Sequence, residues 1–339
     1  MKQIRYRRAL NEALREEMAR DSTVFLLGED LRDPWGGTYK VTQGLSSEFG
    51  NDRVLNTPIS EGGIVGAALG AALAGLRPVV ELQYMDFSLL AADQIINQAA
   101  KIRYMTGGQV EVPLVIRGPG GGYRNSAAQH GQSLETIFAH IPGLKVALPA
   151  TPADAKGLLK TAIRSNDPVV FIEHKSLYQE VGDVPEGDFA VPFGRAEIRR
   201  TGDDVTIVAW SKMVALAIEA AGILAQEGIE AEVIDVRTLV PLDDATILGS
   251  VWRTGRLTVV YEAHRRSGFG AEILALVAEQ VGDRLRAPLR RVAAQDVPLP
   301  MAPNLERAVL PRVDDIVKTV RDQAHLNFAL TSRYAEGQP

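Results

Sequence analysis

Residues 54–72 read VLNTPISEGGIVGAALGAA. A short apolar strand, VLN, gives way through the turn TPIS to Glu61, and Glu61 opens a run built almost wholly of Gly, Ala and small aliphatics. A strand, a tight connection and a helix in that order form half of a βαβ unit. Apolar runs at residues 24–27, 79–82, 114–116, 146–148 and 169–172 are short, partly β-branched and separated by helical patterns. Together they predict a parallel α/β sheet. The helix after residue 150 is marked at its start by Thr151 as N-cap, Pro152 in the first position and Asp154 at the third. A helix as poor in side chain as residues 62–72 has little to bury. Its expected use is close backbone packing against another element or subunit.

The organisation has two parts. Residues 1–180 make the first domain. The text QEVGDVPEGDFAVPF at residues 179–193 is rich in Pro, Gly and acids without a helical period, so residues 181–198 read as a linker. A second alternation follows over residues 199–330: strands at 205–209, 231–236, 257–261 and 289–293, with helices at 212–227, 242–252 and 271–281. The amino-terminal segment MKQIRYRRALNEALREEM reads as a surface helix. Residues 332–339 are expected to fray.

With 339 residues, 46% hydrophobic and 23% charged, the chain can build two ordinary cores. A net charge of −5 without a long basic run leaves no electrostatic footprint for nucleic acid. There is no cysteine, which excludes disulfides and thiol chemistry. No apolar stretch approaches the roughly 20 residues that span a bilayer, and the first residues lack a signal-peptide core. A cytoplasmic protein is the expectation.

Two residues stand out chemically. Glu61 sits at a helix start, where an acid is favoured by the helix dipole alone, so position leaves a structural and a catalytic role both open. A carboxyl desolvated by a Gly/Ala surface tends toward a raised pKa and suits proton sharing near neutrality. His130, in a polar, Gly-flanked loop, can move protons at physiological pH or be an ordinary loop histidine. Phe87 by itself reads as a core aromatic. The run at residues 118–122, GPGGG, lacks the Lys-Ser/Thr ending of a P-loop and the helix-opening spacing of a dinucleotide site, so it reads as a mobile turn. No histidine pair has metal-ligand spacing.

The segment from Asn56 to Tyr104 resembles the beta subunit of the thiamine diphosphate-dependent, decarboxylating component of 2-oxo acid dehydrogenase complexes. The likeness continues through YMTGGQ (104–109), VPLVIRGP (112–119), QHGQS (129–133), FAHIPGLKV (138–146), TPADAKGLL (151–159), AIRSNDPVVF (162–171), EAHRRSGFGAEI (262–273) and VPLPMAP (297–303). Motifs of this length in one order over about 300 residues are specific.

The resemblance implies a pyrimidine-binding α/β domain followed by a transketolase-like C-terminal domain. It assigns Glu61 to the N1′ nitrogen of the aminopyrimidine and places Ile59, Gln83 and Phe87 near that ring. It gives His130 a part in acyl transfer to a lipoyl arm. It maps a potassium site onto Leu114, Ala162, Ile163, Ser165 and Asp167. His140 reads as structural, and His264 as lying near a subunit or carrier contact.

The Gly-Asp-Gly motif that holds magnesium and diphosphate in thiamine enzymes is missing. The resemblance therefore implies an alpha subunit that supplies that half, in an α2β2 heterotetramer, with the second domain docking the lipoyl-bearing acyltransferase core. Gly131, where relatives often carry Ser, and the unusual Tyr123-Arg124-Asn125 depart from the pattern beside the expected substrate entrance. Pyruvate, branched-chain 2-oxo acids and acetoin all remain open as substrates. Two rival readings also stand: a single-chain transketolase-like enzyme, opposed by length and the missing motif, and a non-catalytic docking subunit, opposed by Glu61 and His130.

Overall fold

The computed structural model describes residues 1–326. The notional domain end at residue 330 and the expected fraying of 332–339 lie outside the described residues. In chain order the first half comprises β1 (Lys2–Arg5), α1 (Tyr6–Arg20), β2 (Val24–Gly28), α2 (Leu45–Phe49), β3 (Val54–Asn56), α3 (Glu61–Leu73) and β4 (Arg77–Glu81). A 3-10 turn (Met85–Ala91) and a π-helical turn (Asp93–Ala99) lead to α4 (Ile102–Met105), β5 (Val115–Gly120), α5 (Glu135–Ala139), β6 (Lys145–Ala147), α6 (Pro152–Arg164) and β7 (Val169–His174).

The chain continues with β8 (Val181–Val184), β9 (Glu197–Arg200), β10 (Val205–Ala209), α7 (Lys212–Gln226), β11 (Ala231–Asp235), β12 (Thr238–Val240) and α8 (Asp244–Thr254). It ends with β13 (Leu257–His264), α9 (Gly270–Val281), β14 (Arg290–Ala294), α10 (Pro303–Val309) and α11 (Val313–Ala324).

The larger sheet runs β12-β6-β7-β5-β4-β2-β3, parallel throughout except at β12. Successive side chains on a strand point to opposite faces. Val79, Val115 and Val169 therefore join a core with α1 and α6, while Val80, Ile116 and Val170 join one with α3. That is why these strands read as unbroken apolar runs. Thr151 does cap α6, accepting from the Asp154 N–H at 3.2 Å. Residues 1–20 are less superficial than a surface helix: β1 precedes α1, whose inner face buries Tyr6, Leu10 and Leu14 against α6.

The second sheet runs β14-β13-β10-β11-β9, with β9 alone antiparallel. Helices α7 and α11 cover one face, and α8 and α9 the other. The fold is a pair of α/β units, as the resemblance implies.

Two expectations need correction. The supposed linker is not free chain: β8 pairs antiparallel with β1, and Val191 and Phe193 pack on the α1/α6 core. The units are also not separate cores. Strand β12, from the second half of the chain, pairs with β6 as the outer strand of the first sheet, and one apolar cluster runs from Ile64 to Val277 through both sheets.

Candidate active site

The carboxyl ends of β2, β3, β4, β5 and β7 converge at one end of the larger sheet. In open α/β sheets that is where ligands bind, because the strands end together and their connections diverge. Each chemically notable residue follows one of these strands.

Glu61 follows β3 as the first residue of α3 and is 5% exposed. The close fit of α3 explains the small-residue run: a Cβ on Gly62 would stand 3.2 Å from the Leu90 carbonyl, and Val65, Ala68 and Ala72 are sealed. Ile59, two residues earlier, is 79% exposed at the rim. Glu29, just after β2, was not anticipated. Burial raises its carboxyl above the ordinary value, and the charge of Glu61 adds to the effect. Glu29 Oε1 and Thr57 Oγ1 are buried there without a hydrogen-bond partner, so two polar atoms near Glu61 have capacity unused.

Gln83, after β4, is held by its amide: Nε2 donates to the Glu29 carbonyl at 2.8 Å, and Oε1 accepts from the Thr38 hydroxyl. The 3-10 turn then presents Phe87. His130 meets Tyr84 and Phe87 edge-on, with centroids 5.2 Å apart in each case. Gln83, Phe87 and His130 are thus brought into one neighbourhood from segments almost 50 residues apart.

Lys175, immediately after β7, was also missed. Its ammonium donates to the His130 carbonyl and lies 5.3 Å from the Tyr84 ring centre. Burial pushes Lys175 below the usual ammonium value, against the pull of Asp86 and Glu262. Asp86 Oδ1 accepts from the Gln132 N–H at 3.0 Å and from its side-chain amide at 3.1 Å. A lysine directly after a buried strand was the available signal for Lys175. Glu29 offered only its place at a strand end.

Residues 118–122 are no mobile turn. Gly118 to Gly120 finish β5, paired with Ile172 to His174, and the whole run is buried. His140 and His264 are both exposed; His264 Nδ1 lies 2.8 Å from the Gln295 carbonyl.

The five potassium candidates are near one another, yet positive charge is already there. Arg77 Nη1 donates to the carbonyls of Ile163 and Ser165, each at 3.0 Å. Lys145 Nζ contacts Ser165 Oγ at 3.0 Å and Asp167 Oδ2 at 3.0 Å. The carbonyl of Leu114 accepts from Val169, and that of Ala162 from Ser165. A potassium ion does not fit this donor set beside a guanidinium and an ammonium, and no step below uses one.

The strand ends do fit the pyrimidine end of thiamine diphosphate. They offer a sealed carboxyl at a helix start, unpaired polar atoms beside it, and an aromatic face next to an imidazole. No helix among the described residues is long and apolar enough to cross a membrane.

Comparison with known proteins agrees with this geometry. The family described as transketolase, pyrimidine binding domain, matches residues 2–181, and transketolase, C-terminal domain, matches residues 194–316. The pyruvate dehydrogenase E1 component subunit beta-2, mitochondrial, of Oryza sativa subsp. japonica is 50% identical, over 94% of this chain and 86% of its own length. The acetoin:2,6-dichlorophenolindophenol oxidoreductase subunit beta of Cupriavidus necator is 51% identical, over 92% and 95%.

Among solved structures, a split gene transketolase described as an inactive beta4 tetramer is similar with a TM-score of 0.79 and 25% identity, covering 96% of this chain and 99% of that one. The chain belongs to the family of beta subunits of thiamine-dependent 2-oxo acid dehydrogenases, built from a transketolase-type pyrimidine-binding domain and C-terminal domain.

Proposed function

We propose that this chain supplies the pyrimidine half of a decarboxylating, lipoyl-acylating active site, and that an alpha subunit completes it in an α2β2 particle with the diphosphate and magnesium half. The carrying observation is a chain of contacts at one end of a parallel sheet: Phe87 meets His130 edge-on, Gln83 donates to the Glu29 carbonyl, and Glu29 feels the charge of Glu61. The chain has no Gly-Asp-Gly motif, and Tyr104 (91% exposed), Ile59, Leu90 and Met105 present apolar surface on segments beside the site. Surface of that kind is characteristic of a face another chain covers.

When bound, thiamine diphosphate supplies the carbon nucleophile and electron sink for cleavage next to the 2-oxo carbon. The residues of this chain act at the pyrimidine end and at the acyl group. Glu61 holds and returns a proton at the pyrimidine N1′. Ile59 and Phe87 would hold the pyrimidine ring, with Gln83 steadied beside them by its bond to the Glu29 carbonyl. His130 moves a proton at the acyl group as it passes to a lipoyl arm. Lys175 anchors the His130 backbone, leaving the imidazole free to act. A lipoyl-bearing acyltransferase core is the corresponding partner.

Pyruvate is the substrate that the printed name of the rice relative supports. Acetoin is the second reading, carried by the comparable identity of the Cupriavidus protein. Rates with pyruvate, branched-chain 2-oxo acids and acetoin, measured on the assembled particle with an artificial electron acceptor, separate them.

The decisive variant is Glu61→Gln. The particle should assemble with unchanged size while decarboxylation falls by about 10²–10⁴-fold. Retained turnover in that variant, or turnover by the isolated chain, would overturn the reading.

A further inference from the structure

The loop at residues 121–133, which carries His130, is built against its own backbone preference. Tyr123, Asn125 and Ala127 all lie in the left-handed region, at φ 60°, 55° and 61°. Non-glycine residues stay there only where the surroundings over-determine them. Much of what holds them comes from the second sheet.

Glu262, near the carboxyl end of β13, places Oε1 on both ends of the loop. It accepts from the Gly122 N–H at 2.5 Å and from the Ser133 hydroxyl at 3.0 Å. Its Oε2 lies 2.6 Å from His174 Nε2. Burial pushes the Glu262 carboxyl up, but His174, the Gly122 N–H and the Ser133 hydroxyl outweigh it and leave it below the ordinary value, so it stays an acceptor. Gly121, at φ 81°, clears room for the pair: a Cβ there would stand 2.4 Å from His174 Nε2 and 2.9 Å from Glu262 Oε1.

Between the ends, Glu306 of α10 accepts from the Asn125 N–H at 3.1 Å, and the Tyr123 hydroxyl donates to the Pro311 carbonyl at 2.6 Å. Removing Glu262 would leave two loop donors and one imidazole without their shared partner, all at the junction of the two sheets.

We propose that Glu262 is a positioning residue for acyl transfer: by tying both ends of the 121–133 loop to β13, it makes the second domain the splint that sets the place of His130. This rests on the acyl-transfer role of His130 given above. It assigns the second domain a part in catalysis separate from any docking of a carrier. Misplacement of a reacting group by about 1 Å costs on the order of 100-fold, so the tether has a kinetic signature distinct from lost stability.

The test uses the assembled particle with Glu262→Ala, Glu262→Gln and Ser133→Ala. Three quantities are measured: amide hydrogen exchange, lipoyl acylation, and decarboxylation with an artificial acceptor. In Glu262→Ala, exchange over residues 121–133 should rise about tenfold or more while α1 and α6 stay protected. Lipoyl acylation should fall on the order of 100-fold, and more steeply than decarboxylation.

Glu262→Gln keeps an acceptor oxygen and should recover most of the loop protection. Ser133→Ala removes one donor alone; its faster exchange, confined to the carboxyl end of the loop, tests the tether even if Glu262→Ala fails to assemble. In a His130→Ala background, Glu262→Ala should add nothing further, because a residue acting through His130 has no effect without it.

Unchanged loop exchange, equal losses in both activities, or additive effects in the double variant would overturn the proposal. If His130→Ala leaves lipoyl acylation intact, the His130 assignment fails instead. Loop exchange in Glu262→Ala then still decides whether the tether exists.

Discussion

Glu29 and Glu61 stand after the neighbouring parallel strands β2 and β3, and the charge of Glu61 helps hold the Glu29 carboxyl above the ordinary carboxylate value of 4.5. Burial is the larger cause, and Asp30 and Glu81 add to it. In the unfolded chain Glu29 ionises at its ordinary value, whereas in the folded chain ionisation is opposed. Folding is therefore penalised as pH rises past 4.5, in full once pH exceeds the raised folded value. Glu29→Gln removes that penalty. Thermal unfolding should show the variant level with the wild type at pH 4 and more stable at pH 8; no gain at pH 8 would count against the desolvation of Glu29 beside Glu61.

Glu135 extends the same argument to the junction of the two sheets. Its carboxyl is pushed up to about 7, chiefly by burial, while its own backbone N–H and the Trp210 indole, donating at 3.2 Å, work against the shift. The folded state keeps the proton that the unfolded state gives up, so stability should decline between pH 4.5 and 7 and level off above. The loss is at most about 3 kcal/mol. Denaturant titrations across that range should slope for the wild type and flatten for Glu135→Gln.

Arg117 is 1% exposed and lies between two carboxylates. Nε and Nη2 bind Glu173 at 2.5 and 2.7 Å, Nη1 binds Glu81, and the Tyr178 hydroxyl donates to Glu173 at 2.7 Å. Breaking such a set by removing one partner leaves charges buried and unmatched. Arg117→Met should cost about 3–5 kcal/mol in chemical denaturation. A loss below about 1 kcal/mol, the range of an exposed pair, would mean that water reaches the cluster.

Gly131 has a structural reason to carry no side chain. A Cβ there would sit 2.9 Å from the Ala127 carbonyl and 2.9 Å from Leu299 Cδ1. Gly131→Ser should therefore displace the loop at a cost of about 1–3 kcal/mol, the usual range for overpacking. Lipoyl acylation should slow with it. Adding Leu299→Ala removes one of the two clashes, so the double variant should recover part of both losses; no recovery would place the strain at Ala127 alone.

Much of the architecture was legible in the chain because the driving terms are local. Strands buried on both faces are mostly apolar runs, so five strands of the first sheet and β10, β11 and β13 of the second announce themselves, while β14, RRVAA at the sheet edge, follows from its place in the alternation. The helix at Glu61 is equally plain, since it joins two apolar strands in a βαβ alternation. The small edge strands were not legible. Strand β8 lies in text dominated by Pro, Gly and acids, and β12 is three residues long. Neither is selected by periodicity; each forms because a partner edge, β1 or β6, is presented by the rest of the fold.

By itself the sequence determined the alternation of strand and helix, the place of Glu61 at a strand-to-helix junction and the loop holding His130. Each depends on neighbours within a few residues, through capping, turn chemistry and side-chain period. Tertiary structure alone decided that Glu29, Lys175 and Glu262 share that neighbourhood. It also decided that an Arg77 guanidinium stands where a potassium ion was expected, and that the second half of the chain pins the loop of the first. Those meetings depend on strand order and on which strand ends converge, and residues as many as 188 positions apart, such as Tyr123 and Pro311, carry no local mark of the contact they will make.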